Sequence, residues 1–458
     1  MHLHTVLLMS SGAVKGLQLF VSLSLLIVLH EFGHFFFARV FKTRVEKFYL
    51  FFDFLFPFSS VLNFALFKKK KGDTEYGIGW FPLGGYVKIA GMVDESMDKE
   101  ALKLPPQPWE YRSKKAYQRL FIMLGGIIMN ILVAMIIYMF MSGIYGEQKL
   151  PAANVKYGVV ADSLAQSFGL RNGDIITGID GKQADYFENI VPNILLDQAK
   201  TINITRNGTA MNIDIPSGTI RQVLKKQKGT FIQARIPIVV DSVPPKSEAA
   251  KFNFQKNDSI VAVNNMPVGY FDEFEKAKKD NKGKQISVSV IRNNTLVNFN
   301  CVVPETGSFG FVPKYPERFL NFTNIKYGFF GAIARGVTRT GEEFVFYIRQ
   351  FKLLFTKEVK ASESLGGIIS FGKIFPSEFS MYEFLRLTAF VSIILAFMNL
   401  LPIPGLDGGY VIFLLYEMIS RRKVSEKVME RATTVGLVLL LALMVYANGL
   451  DIMRLFKH

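Results

Sequence analysis

The sequence predicts a multi-domain membrane protein: four transmembrane α-helices, a membrane-associated β-hairpin, and two β-rich modules inserted between the second and third helices. Three observations carry this reading. Long apolar runs recur at about 16–41, 120–145, 387–406 and 433–450, each near the roughly 20 residues that a bilayer span requires. The polar stretch between the second and third runs contains two copies of a turn–strand–turn pattern. Basic residues gather at the ends of the apolar runs, as they do in membrane proteins with basic cytoplasmic loops.

Composition agrees. Of 458 residues, 50% are hydrophobic and 43 are Phe, and the mean hydropathy of +0.23 is high for a chain of this length. The formal net charge is +16, which by itself also suits a nucleic-acid binder. The placement of the charge favours the membrane: Lys42, Arg44, Lys47 and Lys68 to Lys71 follow the first run, and Arg421, Arg422, Lys423, Lys427 and Arg431 separate the last two. No nucleic-acid partner is expected. The single cysteine, Cys301, excludes an intrachain disulfide and reads as a small buried hydrophobe in a strand.

The first helix, Gly16 to Phe41, lacks the short apolar core and cleavage site of a secretory signal and is read as retained. Only Lys15 precedes it, so the positive-inside rule places the 42–119 and 407–432 loops in the cytoplasm. Both termini and the long middle region then lie outside. Residues 76–90 are apolar, Gly-rich and β-prone, too broken to span, and suited to dipping into the membrane as a hairpin against protein or a wet cavity. Residues 326–358 alternate aromatic with charged side chains and suit an amphipathic helix on the outer membrane surface.

The expected division is 1–146, a membrane region; 147–225 and 226–315, two β-rich modules; 316–380, the surface segment; and 381–458, a second membrane region. In the first module, Ala165 to Ile176 ends in Asn172-Gly173-Asp174 before an apolar strand, and Ile179-Asp180-Gly181-Lys182 makes the next turn. The pattern returns at Ser247 to Ala250, Lys256 to Ile260 and Val263-Asn264-Asn265. This resembles a tandem pair of PDZ domains.

The chemistry centres on His30-Glu31-Phe32-Gly33-His34. Residues i and i+4 share one helix face, so both imidazoles reach one ion. Glu31 points about 100° away, placed to take a proton from a water rather than to ligate. The pattern is common by chance, but here it uses two of only five histidines and falls within an apolar helix. His30 lies about 14 residues from the helix start, roughly 21 Å, which is hydrocarbon depth. Ionisable groups there are costly and usually functional. The competing reading is a polar cluster that ties helices together. A third ligand is expected from another helix, and Asp407 has the strongest context. Two prolines and three glycines in Asn399 to Gly409 break the helix around it. Asp407 alone reads equally well as a helix cap.

With these residues in view, the chain resembles the site-2 protease family of intramembrane zinc metalloproteases, in the bacterial branch that carries tandem PDZ domains. Phe81 to Lys88 and Asn399 to Gly409 match that branch, as does the order helix, hairpin, helix, PDZ pair, helix, helix. The resemblance implies Zn2+ bound by His30, His34 and Asp407, with Glu31 as base. It implies that Asn399 lies beside the substrate backbone. It also implies that the hairpin, with Gly77 and Gly79, offers a strand edge to the substrate. It further implies a bacterial inner membrane, single-span membrane proteins as substrates, and a PDZ pair that filters substrates or binds peptides. Three features depart from the family pattern. Gly125-Gly126 stands where Gly-Pro is usual, Ser364-Leu365-Gly366-Gly367-Ile368 has Gly where Pro is usual, and 51–71 looks like an insertion. Two other classes compete. A membrane scaffold or sensor with a structural metal would close its site with a fourth protein ligand, and an ion transporter would show inverted helix repeats.

Overall fold

A computed structural model describes residues 11–55, 61–82, 84–92, 105–225, 230–356, 359 and 366–456. Leu83, Ser364, Leu365 and the 56–60 part of the 51–71 segment, all named above, lie outside the described residues.

Four helices are long and apolar enough to cross a membrane. They are α1 (Ser11–Val40) and α2 (Ala116–Ile144), then, after a long interval, α5 (Met381–Leu400) and α7 (Glu426–Leu455). Between the two pairs come α3 (Phe329–Leu353) and α4 (Ile368–Gly372), and α6 (Asp407–Ser420) separates α5 from α7. The described residues fall into two compact units. One contains these helices, α3 as far as Phe351; the other is Glu147–Ile325 with the segment that begins at Lys352.

α1 and α2 pack backbone to backbone. A Cβ on Gly33 would lie 2.1 Å from the Gly125 carbonyl oxygen, and one on Gly125 would lie 2.4 Å from that of Gly33. Small residues let membrane helices approach this closely, where no hydrophobic effect drives them together. α5 joins through Ser392, whose hydroxyl donates to the Asn130 carbonyl at 2.7 Å.

Two expectations for this unit need correction. The third span starts earlier and stops at Leu400, and 407–420 is not loop but the apolar helix α6, with Tyr410, Val411 and Leu414 buried beside Ile122 and Met123 of α2. α3 is amphipathic as expected but does not lie on a bare surface. Gly336 abuts the backbone of Met135 and Met139 in α2, and Tyr347 and Phe351 pack on Phe397 in α5. Its apolar face finds aromatic partners along the bundle.

The region after α1 also differs from the predicted hairpin. β1 (Val45–Leu50), β2 (Ala65–Lys71), β3 (Thr74–Gly79) and β4 (Tyr86–Ile89) form one sheet in the order β2-β3-β1-β4. β3 and β4, the arms of the expected hairpin, are separated by β1, which runs parallel to β3 and antiparallel to β4. The unassigned 51–71 segment supplies β2. The sheet lies along α1: Phe48 and Tyr76 meet Phe35, Gly85 meets Ile27 and Glu31, and Phe51 meets Phe20.

The other unit is an internal duplication. Strands Thr209–Asp214, Thr201–Arg206, Ile175–Ile179 and Lys182–Gln183 form one sheet in that order. Thr295–Val302, Gln285–Arg292, Ser259–Val263 and Met266–Pro267 repeat it. Each sheet covers its own core, one around Leu170, Ile202 and Ile204, the other around Phe254, Phe274 and Val288. Both repeats bury an aspartate under an arginine that ends the second strand named: Arg206 on Asp174 and Arg292 on Asp258, each through two nitrogens at 2.7–2.8 Å. Cys301 is buried in the second core, and burial pushes its thiol up to about 12.

Candidate metal centre

The helical period of α1 brings His30 and His34 onto one face, with ring centroids 4.9 Å apart. α2 supplies the surface beneath them. A Cβ on Gly126 would lie 2.4 Å from His30 Cε1 and 2.6 Å from both Nε2 atoms, so the rings occupy the space a side chain would need. Each imidazole is oriented through its other nitrogen. His34 Nδ1 lies 2.8 Å from the Ile122 carbonyl oxygen, which can only accept, so Nδ1 carries the proton and Nε2 keeps its lone pair. His30 Nδ1 lies 3.1 Å from the side-chain amide of Asn130, which is fully buried and whose oxygen has no other partner. With that oxygen turned to accept from Nδ1, His30 also presents a lone pair at Nε2.

The third donor comes from the break between α5 and α6. Gly405 there has φ +99°, a conformation that favours glycine. Cβ atoms on Gly408 and Gly409 would strike the backbone of Leu401 and Ile403. The tight turn makes Asp407 the first residue of α6, at the end where a helix favours negative charge. It is not a cap: the helix start has no side-chain cap hydrogen bond.

The three donor atoms form a near-equilateral triangle. His30 Nε2 to His34 Nε2 is 3.2 Å, His30 Nε2 to Asp407 Oδ2 is 3.3 Å, and His34 Nε2 to Asp407 Oδ2 is 3.4 Å. Donors bound about 2.0–2.1 Å from one zinc in tetrahedral geometry stand about 3.3 Å apart. Asp407 Oδ2 is out of reach of solvent and makes no hydrogen bond. Two imidazole lone pairs and an unpaired carboxylate oxygen facing one point fit a cation and little else. Among the described residues this is the group of His, Cys, Asp or Glu side chains able to hold a metal. Three protein donors are the number of a catalytic rather than a closed structural zinc site.

The other expected site residues divide. Glu31 sits next to His30, and a Cβ on Gly85 just before β4 would lie 3.3 Å from its Cγ. Asn399 reaches the centre, with its amide nitrogen 3.4 Å from His30 Nε2. Gly77 and Gly79 do not lie on a strand edge. β3 is flanked by β2 and β1, so its edges are taken. Its glycines answer to packing: Cβ atoms there would lie 2.4 Å from the Tyr49 ring and 2.1 Å from the Phe52 carbonyl. The outer strands are β2 and β4. Asn130 and Gly126 line the candidate site, though at the sequence level Gly125-Gly126 before Asn130 stood only as a departure from the family pattern, with no role in the site. That pattern and an Asn in an apolar run were their signals.

Comparison with known proteins identifies the family of the chain. The chain is 28% identical to the Regulator of sigma-E protease RseP of Escherichia coli (strain K12) over 95% of its length and 97% of the relative's. It is 28% identical to Protease RseP of Yersinia pestis, with the same coverage. A Vibrio cholerae relative named as a zinc metalloprotease is 26% identical, again over 95% and 97%. The sequence profile of Peptidase family M50 matches residues 18–443. With its two histidines and aspartate gathered where that profile runs, the chain belongs to Peptidase family M50, the site-2 proteases, and is a zinc metalloendopeptidase.

Proposed function

We propose that this protein hydrolyses peptide bonds within or at the edge of the bilayer, in the transmembrane segments of single-span membrane proteins. His30, His34 and Asp407 would hold the zinc and Glu31 would act as general base. The observation that carries this reading is the triangle of donor atoms closed by an unpaired carboxylate oxygen. Zinc held there would supply Lewis acidity toward water and toward the scissile carbonyl. Glu31, one residue on from a ligand and rotated about 100° around the helix, takes the proton from the attacking water and passes it to the leaving amine. Asn399, beside His30, donates its amide to the substrate backbone. An amide bond in a helix is tied up in intrahelical hydrogen bonds, so the substrate must be held extended. The outer edge of β4, which starts beside Glu31, offers a strand for that purpose.

The duplicated modules act as PDZ domains outside the membrane, selecting substrates or binding peptides. We place the chain in a bacterial inner membrane as a multi-pass protein, with both termini and the modules outside and the metal toward the cytoplasmic side. The names of its relatives favour a role in regulated intramembrane proteolysis, such as release of a membrane-held anti-sigma factor, with clearance of membrane stubs as the other outlet. The alternative is a catalytically inactive scaffold with a structural metal, which lacks support in a three-donor site. Glu31→Gln is the test. Zinc is expected to remain at about one per chain while cleavage of a membrane substrate disappears and membrane stubs accumulate in cells. Full cleavage by this variant would sink the mechanism.

A further inference from the structure

β2 is divided in a way the catalytic reading does not use. Leu62, Phe64, Leu66 and Phe67, on the approach and in its first half, are exposed apolar side chains. Its second half is Lys68 through Lys71, all exposed; Lys70 stands opposite Glu75 in the register, whose carboxylate accepts from the Tyr49 hydroxyl, and none of the four lysines makes an ion pair among the described residues. Strand register fixes where each half lies along α1. Lys71 pairs with Thr74, whose hydroxyl accepts from Arg39 near the end of that helix. Lys69 pairs with Tyr76, whose ring meets Phe35. Ala65 pairs with Gly79, which abuts the backbone of Phe52, and the neighbouring Phe51 meets Phe20. At 1.5 Å per residue, Phe35 is about 6 Å and Phe20 about 28 Å inward from Arg39. The lysines therefore stand level with the basic end of α1, and the apolar half runs alongside its hydrocarbon-spanning part.

An outer strand often carries lysine to discourage pairing with other chains. Lys68 to Lys71 alternate on both faces over roughly 10 Å of strand and, with Glu75 the single acid opposite them in the register, leave an excess of positive charge around the basic end of α1, on side chains long enough to reach an interface. We infer that the β2 edge docks on anionic phospholipid: its apolar half sits among acyl chains, and Lys68 to Lys71 hold phosphate headgroups. The inference rests on the reading that α1 crosses a bilayer.

Trp80 is the reporter. It stacks on Phe64 at 5.6 Å and donates to the Leu62 carbonyl, and Trp109→Phe makes it the sole tryptophan of the two in the chain. The zinc-loaded full chain is reconstituted in phosphatidylcholine vesicles containing phosphatidylglycerol, with bromine on the acyl chains of one lipid or the other. Brominated phosphatidylglycerol is expected to quench Trp80 at a mole fraction lower by at least about fivefold. The preference should fall toward one at about 0.5 M salt and when all four lysines become Gln, and persist when all four become Arg. Equal quenching by both lipids in the otherwise unsubstituted chain would overturn the docking and leave the sheet in the bilayer. Quenching by neither would overturn the depth of the sheet as well. Cleavage and zinc content, which test the catalytic reading, are measured on the same samples and do not depend on either result.

Discussion

Asp258 in the duplicated unit and the Oδ2 atom of Asp407 among the membrane helices are both held away from water, and they are held in opposite ways. Asp258 is fully buried and fully answered: Arg292 reaches both oxygens, and the Gln255 amide donates at 2.8 Å. Asp174 repeats the arrangement with Arg206 and the Arg171 amide. Asp407 has no arginine, and its Oδ2 makes no hydrogen bond; it faces two imidazoles instead. A buried charge costs several kcal/mol unless paired. The first pattern offsets that cost within the chain and so belongs to folding. The second leaves it open to a cation, as the proposed metal site requires. The answer sought by each buried carboxylate separates structural from functional burial here.

Substitutions can break or sharpen this contrast. Asp407→Ala should remove zinc from the purified protein and lower cleavage by at least about 10³-fold, while leaving the duplicated unit as protected from hydrogen exchange as before. Zinc retained at full stoichiometry would count against Asp407 as a ligand. Asp258→Ala should do the reverse. Removing the partner of Arg292 and of the Gln255 amide should destabilise the second module by about 1–3 kcal/mol, seen as lost exchange protection in Gln285–Arg292, with zinc content unchanged. Asn130→Ala sits between the two, since it removes an orienting partner rather than a ligand. Zinc affinity in a chelator competition should fall by about 10- to 100-fold, and His30 is the ring expected to loosen. The smallest effect concerns Cys301. Its thiol stands at about 12 against an ordinary value of about 8.5. The stability it lends is whole below about pH 8.5 and is lost as pH rises toward 12. Alkylation of the folded chain should accordingly stay slow through about pH 9, and rapid labelling there would mean that the second core opens readily.

The metal centre was legible because its signals are local. Four residues of helix put His30 and His34 on one face, and the run of Pro and Gly before Asp407 announces a broken helix. Asn130 and Gly126 were not legible because their roles come from α2 packing on α1, and a buried Asn or a Gly pair looks alike whatever it meets. The duplication showed itself through Asn172-Gly173-Asp174 and Lys256-Asn257-Asp258, where turn chemistry repeats. The sheet beside α1 was misread for want of β1: Val45-Glu46-Lys47-Phe48-Tyr49-Leu50 has too little alternation to announce a strand, and without it β3 and β4 look like partners. α6 was hidden by its position, since the basic stretch after it drew the whole of 407–432 into a loop.

The donors lie far apart in the chain, with the entire duplicated unit between His34 and Asp407. A ribosome makes the two histidines early and the aspartate late, and domains generally fold as they emerge. A nascent chain already seated in the membrane thus carries an incomplete centre until α6 follows it in. On the proposed reading, the peptidase gains its last ligand only near the end of its own biosynthesis.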